Sequence, residues 1–179
     1  MTKPEPQSPQ HASTQRMGTV MAAIAWIILL AMLTAFFTGW LEHQDNPNKD
    51  PTSQLTNTGE SEVVLKRNRA GHYVTNGFIN GVAVRFLLDT GATGVALSND
   101  VARATGAVPG KAIMTRTANG NAKGYKTTLR SVAVGNIEQH HVPATISPGL
   151  ATREVLLGMS FLKHLELTQR GDTLTLRQP

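Results

Sequence analysis

The chain contains no cysteine. This absence excludes disulfide bonds, cysteine-ligated zinc, iron–sulfur clusters and thiol catalysis, and it leaves the redox compartment open. Aromatic residues are also scarce, at 5% of 179 residues, so we expect a core built from valine, leucine, isoleucine and alanine. The length allows one domain of ordinary size with a tail, and it excludes a two-lobed enzyme of about 300 residues.

Charged residues are few as well, at 16% of the chain, against about 25% in a typical soluble domain. One uncharged, apolar stretch at 17–41 accounts for part of this deficit. As a helix it would span about 37 Å, which exceeds the ~30 Å hydrocarbon core of a bilayer. We therefore predict a transmembrane anchor. A cleaved signal peptide is the alternative, but no small-x-small cleavage site occurs around Thr38-Gly39-Trp40.

The charges that flank this stretch predict its orientation. Lys3 and Arg16 precede it, whereas Lys49 is the basic residue that follows it closely. The positive-inside rule then favours a cytoplasmic N-terminus. We expect a single-pass protein of the cell inner membrane with its C-terminal bulk in the periplasm, or outside the cytoplasm in a host without one.

The rest of the chain divides by composition. Residues 1–16 are polar and proline-rich, which predicts a disordered cytoplasmic tail. Residues 42–60 are rich in asparagine, aspartate, proline and threonine, which is typical of a flexible tether. The folded domain is then expected at 61–179, with 14 Lys and Arg against 7 Asp and Glu.

Short strands dominate the predicted domain. Asn80-Gly81 is the signal of a type I′ hairpin turn, because both positions need positive φ. Ser98 and Gly106 are expected to cap a short helix. Many short strands with one or two short helices predict a mainly β fold, a barrel or a sandwich. The predicted strands include 63–65, 72–79, 82–88, 113–117, 125–129, 132–134, 142–146 and 173–176.

The residues with the most specific chemical signal are Asp89-Thr90-Gly91. They follow the apolar run Phe86-Leu87-Leu88, so the carboxyl group is expected where water is scarce and its charge needs compensation. The small residues Ala92 and Gly94 let the backbone turn tightly and leave one carboxyl face open. The alternative is an ordinary aspartate in a β-turn.

With its neighbours, this motif resembles that of a known protein family. Residues 86–93 look like the active-site motif of retropepsin-like aspartic proteases, and Val155-Leu156-Leu157-Gly158-Met159 is similar to their second signature. Between the two, Ala118-Asn119-Gly120-Asn121 falls where the family has the tip of a flap hairpin. With the N-terminal anchor, the arrangement over 70–178 resembles bacterial membrane-anchored retropepsin-like proteases.

The resemblance implies a retropepsin-like acid protease barrel and an aspartic endopeptidase without metal or cofactor. It implies that Thr90 forms hydrogen bonds across a dimer and that the Gly91 backbone contacts substrate. The terminal strands near Val63–Leu65 and Leu174–Leu176 would knit the dimer. The site residues it implies are catalytic Asp89, the active-site turn Thr90, Gly91, Ala92 and Thr93, the flap residues Ala118, Asn119 and Gly120, and the second motif Leu156, Leu157 and Gly158.

One aspartate does not complete such a site, because the mechanism needs two carboxyl groups that share a proton. Asp100 lies in the first turn of the predicted helix, and Asp172 lacks a preceding apolar run. We therefore expect a homodimer that acts on protein or peptide substrates and contacts the lipid bilayer through its anchor. The alternative is a catalytically silent module that binds extended peptides by adding them to a sheet.

Three weaker patterns point elsewhere. Ser160-Phe161-Leu162-Lys163 fits the S-x-x-K motif of penicillin-recognising enzymes, but its companion motifs Ser-Asp-Asn and Lys-Thr-Gly are missing. His140-His141 suggests a metal, but adjacent strand residues face opposite ways and no H-E-x-x-H motif occurs. The basic residues are dispersed and no aromatic cluster accompanies them, so we expect no nucleic-acid binding.

Overall fold

The apolar stretch forms one long helix, α1 (Gln10–Asp45). The computed structural model describes residues 10–56, 59–117, 120–150 and 154–179, with side chains from residue 17 onward except 116, 117 and 121. The segment Met17–Asp45 is long and apolar enough to cross a membrane, and none of its most apolar window is buried within the protein. A signal sequence near the N-terminus has the same properties, so the helix by itself fits either role.

Helix α1 begins earlier than the sequence predicts. Residues 10–16, assigned above to a disordered tail, are helical, while residues 1–9 lie outside the described part. The first helical residue directly follows Pro9, and no proline interrupts the chain from there to residue 45. Proline breaks a helix when it lies in the helix interior. Because residues 10–16 contain none, the helix extends through this polar segment towards the N-terminus.

The chain divides into two compact units, Met1–Glu42 and His43–Pro179. The second unit is mainly β, which confirms the predicted fold class, and it contains two short helices among its described residues, α2 (Asn99–Thr105) and α3 (Met159–Leu162). Its strands are β1 (Thr52–Leu55), β2 (Ser61–Lys66), β3 (Val74–Ile79), β4 (Val82–Leu88), β5 (Val95–Leu97), β6 (Ala112–Thr117), β7 (Gly120–Val134), β8 (Ile137–Ile146), β9 (Glu154–Leu157), β10 (Glu166–Arg170) and β11 (Thr173–Gln178).

Most of these strands form a closed barrel. The larger sheet has the order β3-β4-β9-β5-β8-β7-β6, and an additional pairing between β3 and β7 closes it. Strand β6 lies outside the ring and forms a hairpin with the first part of β7. Closure removes the free edges that an open sheet would present, except along β6.

The barrel interior is the hydrophobic core. Burial of each large apolar side chain stabilises the fold by about 1.5–3 kcal/mol. As the scarcity of aromatic residues predicts, the core is mainly aliphatic. Among the described residues, two phenylalanines are the completely buried aromatic side chains. The largest fully buried side chains include Phe86, Phe161, Ile79, Leu97, Leu129, Ile137, Leu157 and Leu162.

Local turn and cap chemistry is confirmed in two places. Asn80 has φ 52° and Gly81 has φ 84°, as a type I′ turn requires. The Asn80 side chain also donates to the Thr105 carbonyl at 2.8 Å, which ties the hairpin to α2. Helix α2 begins after Ser98, whose hydroxyl accepts a hydrogen bond from Val101 N–H, and it ends at Gly106 with φ 67°.

A second, smaller sheet has the order β1-β2-β11-β10. Strands β2 and β11 are antiparallel neighbours within one chain, with Leu65 opposite Leu174 and Val63 opposite Leu176. Val63, Leu65 and Leu176 are fully buried. The two segments expected at a dimer interface therefore pair with each other inside one protomer. The edge strands of this sheet are β1 and β10.

The segment predicted to be a flexible tether is partly folded, so the boundary at residue 61 is wrong. The compact unit begins at His43, and β1 pairs with β2 along its whole length, from Thr52 opposite Val64 to Leu55 opposite Ser61. We call residues 46–55 the N-terminal strap. Its polar composition suggested solvation, but the Asn48 side chain binds the backbone of β2 and β3.

Asn48 carries most of this attachment. It is 4% exposed. Its Nδ2 donates to the carbonyls of Lys66 at 2.9 Å and Val74 at 2.7 Å, and its Oδ1 accepts from Lys66 N–H at 2.6 Å. The Asn48 carbonyl accepts from Asn76 N–H and from the Thr75 hydroxyl. One asparagine therefore satisfies backbone groups at the ends of both β2 and β3.

Candidate active site

Asp89 lies directly after the last residue of β4. This strand is parallel to β9, with Leu87 opposite Leu156 and Leu88 opposite Leu157. The backbone N–H of Asp89 donates to the Leu157 carbonyl at 3.2 Å, which continues the pairing by one residue. The apolar run Phe86-Leu87-Leu88 thus forms the strand that brings Asp89 beside the second predicted motif, Leu156-Leu157-Gly158.

The residues after Asp89 form a tight turn. Oδ1 of Asp89 accepts a hydrogen bond of 2.8 Å from Gly91 N–H, and its carbonyl accepts one from Ala92 N–H at 3.2 Å. A backbone amide that donates to a carboxylate holds it in one orientation by a charge-assisted bond. Asp89 is half-buried, while Thr90 and Gly91 are exposed. The second carboxylate oxygen has no hydrogen-bond partner among the described residues.

The second motif packs directly against this turn. Met159 N–H donates to the Ala92 carbonyl at 2.9 Å. A Cβ atom on Gly158 would lie 2.7 Å from the Ala92 carbonyl oxygen and still closer to that of Gly94. Only glycine allows this approach, so Leu156-Leu157-Gly158 and the turn at 89–93 form one interlocked unit.

Ser160 has a role that the sequence did not indicate. Its hydroxyl donates to the Pro143 carbonyl at 2.7 Å and accepts from Val95 N–H at 3.0 Å. It therefore connects α3 with β5 and β8, close to the turn at 89–93. Its position two residues after Gly158, at the start of a helix, could have indicated this structural role. The S-x-x-K pattern instead suggested a part in catalysis for Ser160.

The predicted flap corresponds to the hairpin of β6 and β7. The two strands pair from Ala112 opposite Tyr125 to Thr117 opposite Gly120. Gly120 has φ 103°, which favours glycine there. Ala118 and Asn119, predicted at the tip, lie outside the described residues, so their role stays a prediction.

Two other aspartates considered above are engaged elsewhere. Asp100 forms an ion pair with Arg103, and Asp172 lies 3.7 Å from Arg67. Within the described ranges, no hydrogen bond or ion pair joins Asp89 to a second acidic side chain. Nor does the described part contain a group of three or more His, Cys, Asp or Glu that could hold a metal ion. One protomer thus brings one carboxylate to this site.

Comparison with curated sequences gives two relatives. An uncharacterized protein from Sinorhizobium sp is 30% identical over 178 residues, which span 92% of this chain and 76% of the relative. An uncharacterized protein of Rickettsia prowazekii (strain Madrid E) is 34% identical over 117 residues. These cover 61% of this chain, and the chain spans 48% of that relative.

A solved structure and a protein family also match. The crystal structure of a retropepsin-like aspartic protease from Rickettsia conorii is 31% identical, with a TM-score of 0.55 over 72% of this chain and 94% of that one. The family described as "gag-polyprotein putative aspartyl protease" matches residues 75–164, which contain Asp89 and Gly158. The barrel, the turn at Asp89 and these matches agree, and the chain belongs to this retropepsin-like aspartyl protease family.

Proposed function

We propose that the chain is an aspartic endopeptidase that hydrolyses peptide bonds with water activated by Asp89 and the same residue of a second copy. One observation carries the proposal: the Asp89 carboxylate is oriented by Gly91 N–H in an exposed turn that is locked by Gly158. Family membership supports the same chemistry. The two sequence relatives are uncharacterized, so the proposed activity depends mainly on the geometry of the site.

The chemistry follows from two carboxyl groups that share one proton. The ionised carboxylate takes a proton from a bound water, whose oxygen attacks the scissile carbonyl carbon. The protonated carboxyl group donates its proton to the carbonyl oxygen. The tetrahedral intermediate then collapses and the C–N bond breaks, as the amine takes a proton from the dyad and one hydroxyl group of the intermediate returns a proton to it, which restores the dyad with one proton. The backbone of Gly91 and the flap hairpin, including residues 118–120, would hold the peptide in an extended conformation.

The need for a second copy follows from the single carboxylate in each protomer. Thr90 and Gly91, next to Asp89, are exposed in one chain, so this face is available to a partner. A two-fold axis beside the turn would bring two copies of Asp89 together through one isologous contact.

We infer that the partner pairs along β10. This strand follows α3, which begins at the active-site turn, and all five of its residues are exposed on an open sheet edge. A two-fold axis through Thr168 would place Glu166 opposite the partner's Arg170 and bring the two copies of Thr168 together. The strand is therefore complementary in charge to a second copy of itself, and opposite charges across a strand pair stabilise it.

We also propose that α1 anchors the enzyme in the inner membrane. The charges around it favour a cytoplasmic N-terminus, which would put the unit His43–Pro179 in the periplasm. An anchor confines two copies to a plane and so raises their effective concentration.

The proposed activity is tested by incubating the full chain, in non-ionic detergent, with a library of extended peptides. We expect internal cleavage that disappears in Asp89→Asn, because the amide cannot accept a proton from water. Asp100→Asn is the matched control, since that residue is exposed on α2, and it should retain cleavage.

Two outcomes would contradict the proposal. Equal cleavage by the wild type and by Asp89→Asn would mean that another group is the catalyst. Peptide binding without cleavage by the wild type would favour the silent peptide-binding module.

A further inference from the structure

We propose that a basic groove next to the active-site turn selects peptide substrates with an acidic side chain. This inference deepens the proposed function, because it names the class of substrate for the same site. It rests on the shape of the groove, on two opposed lysines and on the absence of acidic residues from the described lining.

The groove lies between the flap hairpin and the body of the barrel. Its volume is about 810 Å³, and it is lined by parts of β6, β7 and β8. Its lining includes Thr93, the last residue of the active-site turn, together with Gly94 and Ser160. A peptide held across Asp89 would therefore have side chains within reach of this groove.

Two lysines meet at the base of the flap hairpin. Lys126 N–H donates to the Lys111 carbonyl at 3.0 Å, and Gly110 N–H donates to the Lys126 carbonyl at 2.8 Å. Lys111 and Lys126 are thus cross-strand neighbours, one pair beyond Ala112 and Tyr125. Both are exposed and both line the groove. Like charges placed directly opposite each other are unfavourable, and a bound anion would relieve this repulsion.

The described residues supply no anion there. The described lining includes no aspartate or glutamate, and no ion pair of either lysine with a described residue is present. Other acidic side chains have cationic partners: Glu154 lies 3.1 Å from Arg85, and Glu62 lies 3.4 Å from Arg177. Charge complementarity for this groove therefore has to come from the substrate.

The remaining lining suits a carboxylate on an aliphatic stem. The Thr115 hydroxyl is buried without a hydrogen-bond partner among the described residues and belongs to the groove wall. Ile113 lies between Lys111 and Thr115 in the sequence, and it and Met114 contribute apolar atoms to the lining. A glutamate or aspartate side chain can pack its methylene groups on this surface and present its carboxylate to the two ammonium groups.

The test compares matched peptides with the full chain in non-ionic detergent. In a substrate cleaved in an Asp89-dependent manner, each position flanking the scissile bond is made Glu or Gln in turn. We expect one position at which kcat/KM is about three- to tenfold higher for Glu, since exposed charge pairs contribute modestly. The ratio should fall as salt is raised, because salt screens exposed charges.

Variants assign the preference to the groove. The double change Lys111→Gln and Lys126→Gln should bring the Glu-to-Gln ratio close to one, while Lys111→Glu with Lys126→Glu should turn the preference towards Lys. Lys66→Gln is the matched control, because Lys66 is an exposed lysine outside the groove, and it should keep the wild-type ratio. Thermal unfolding of each variant checks that it is folded.

A binding measurement separates this inference from the proposed catalysis. The Asp89→Asn chain is titrated with fluorescently labelled versions of the matched Glu and Gln peptides. We expect the Glu peptide to bind more tightly, even though neither peptide is cleaved. If no cleavage depends on Asp89 but the Glu peptide still binds more tightly than the Gln peptide, the proposed catalysis is contradicted and the acidic preference is not. A Glu-to-Gln ratio near one in both cleavage and binding, or a ratio that survives loss of both lysines, would overturn the acidic preference.

Discussion

Gly158 shows at the scale of one residue how the site is held together. Any Cβ at this position would collide with the carbonyl oxygens of Ala92 and Gly94. Both of these belong to backbone next to Asp89, so they cannot move aside without disturbing the turn. A residue with no side chain therefore lets the second motif pack against the turn that contains Asp89, whose carboxylate has its own orienting bond from Gly91.

We predict that Gly158→Ala lowers the stability of the folded unit by about 1–3 kcal/mol, the usual cost of forcing extra volume into a packed site. Peptide cleavage should be slower even at temperatures at which the variant is still folded, because the strain is next to Asp89. Gly149→Ala is the control, since nothing lies within 4 Å of a Cβ there. Thermal unfolding and cleavage rates check both variants, and equal behaviour of the two would contradict the interlocked arrangement.

At the scale of elements, local signals were enough for some features. The hairpin at Asn80-Gly81 and the capped helix α2 depend on residues adjacent in sequence, and both are confirmed. The approach of Leu156-Leu157-Gly158 to the turn at 89–93 came from the family resemblance instead. Those segments are more than 60 residues apart, and no periodicity predicts which strands become neighbours.

The N-terminal strap was missed for a physical reason. A polar, proline-containing segment is typical of a linker when its side chains bind water. Here Asn48 replaces water with the backbone of β2 and β3. Burial of a single asparagine depends on tertiary contacts, so composition alone could not distinguish the strap from a tether.

We predict that Asn48→Ala destabilises the unit His43–Pro179, because it removes the partner of one buried backbone group, the Val74 carbonyl, and of two partly buried ones on Lys66, and a buried group left unpaired costs about 1–3 kcal/mol. Asn136→Ala, which removes one exposed hydrogen bond to the Gln54 carbonyl, should cost less than about 1 kcal/mol. Denaturant unfolding of the full chain in detergent measures both. A fragment 61–179 as stable as a fragment 43–179 would contradict the role of the strap.

At the scale of the whole molecule, the proposal requires two copies. The barrel closes on itself and leaves one carboxylate at an exposed turn, while β10 presents an open edge. The predicted dimer strands near Val63 and Leu176 pair with each other inside one chain, and β1 flanks them as the edge strand of that sheet. We therefore propose β10 as the dimer surface, a strand that local sequence patterns did not indicate for this role.

We predict that Arg170→Glu weakens the dimer, because it places Glu166 opposite the partner's introduced glutamate. Adding Glu166→Arg to the same chain restores opposite charges in the symmetric pair and should restore both dimer and activity. Sedimentation in detergent and cleavage rates measure the effect. Unchanged dimerisation in the single variant, or failure of the double variant to recover, would exclude this pairing.

The central claim is that each active site contains Asp89 from two chains. It is tested most directly by allowing wild-type chains to exchange subunits with an equal amount of Asp89→Asn chains in the same detergent. Random pairing leaves about a quarter of the dimers with two wild-type subunits, so activity per total dimer should fall to about one quarter of that of the wild type. A fall to one half only, with exchange verified by labelled subunits, would mean that each chain works alone and would contradict the account.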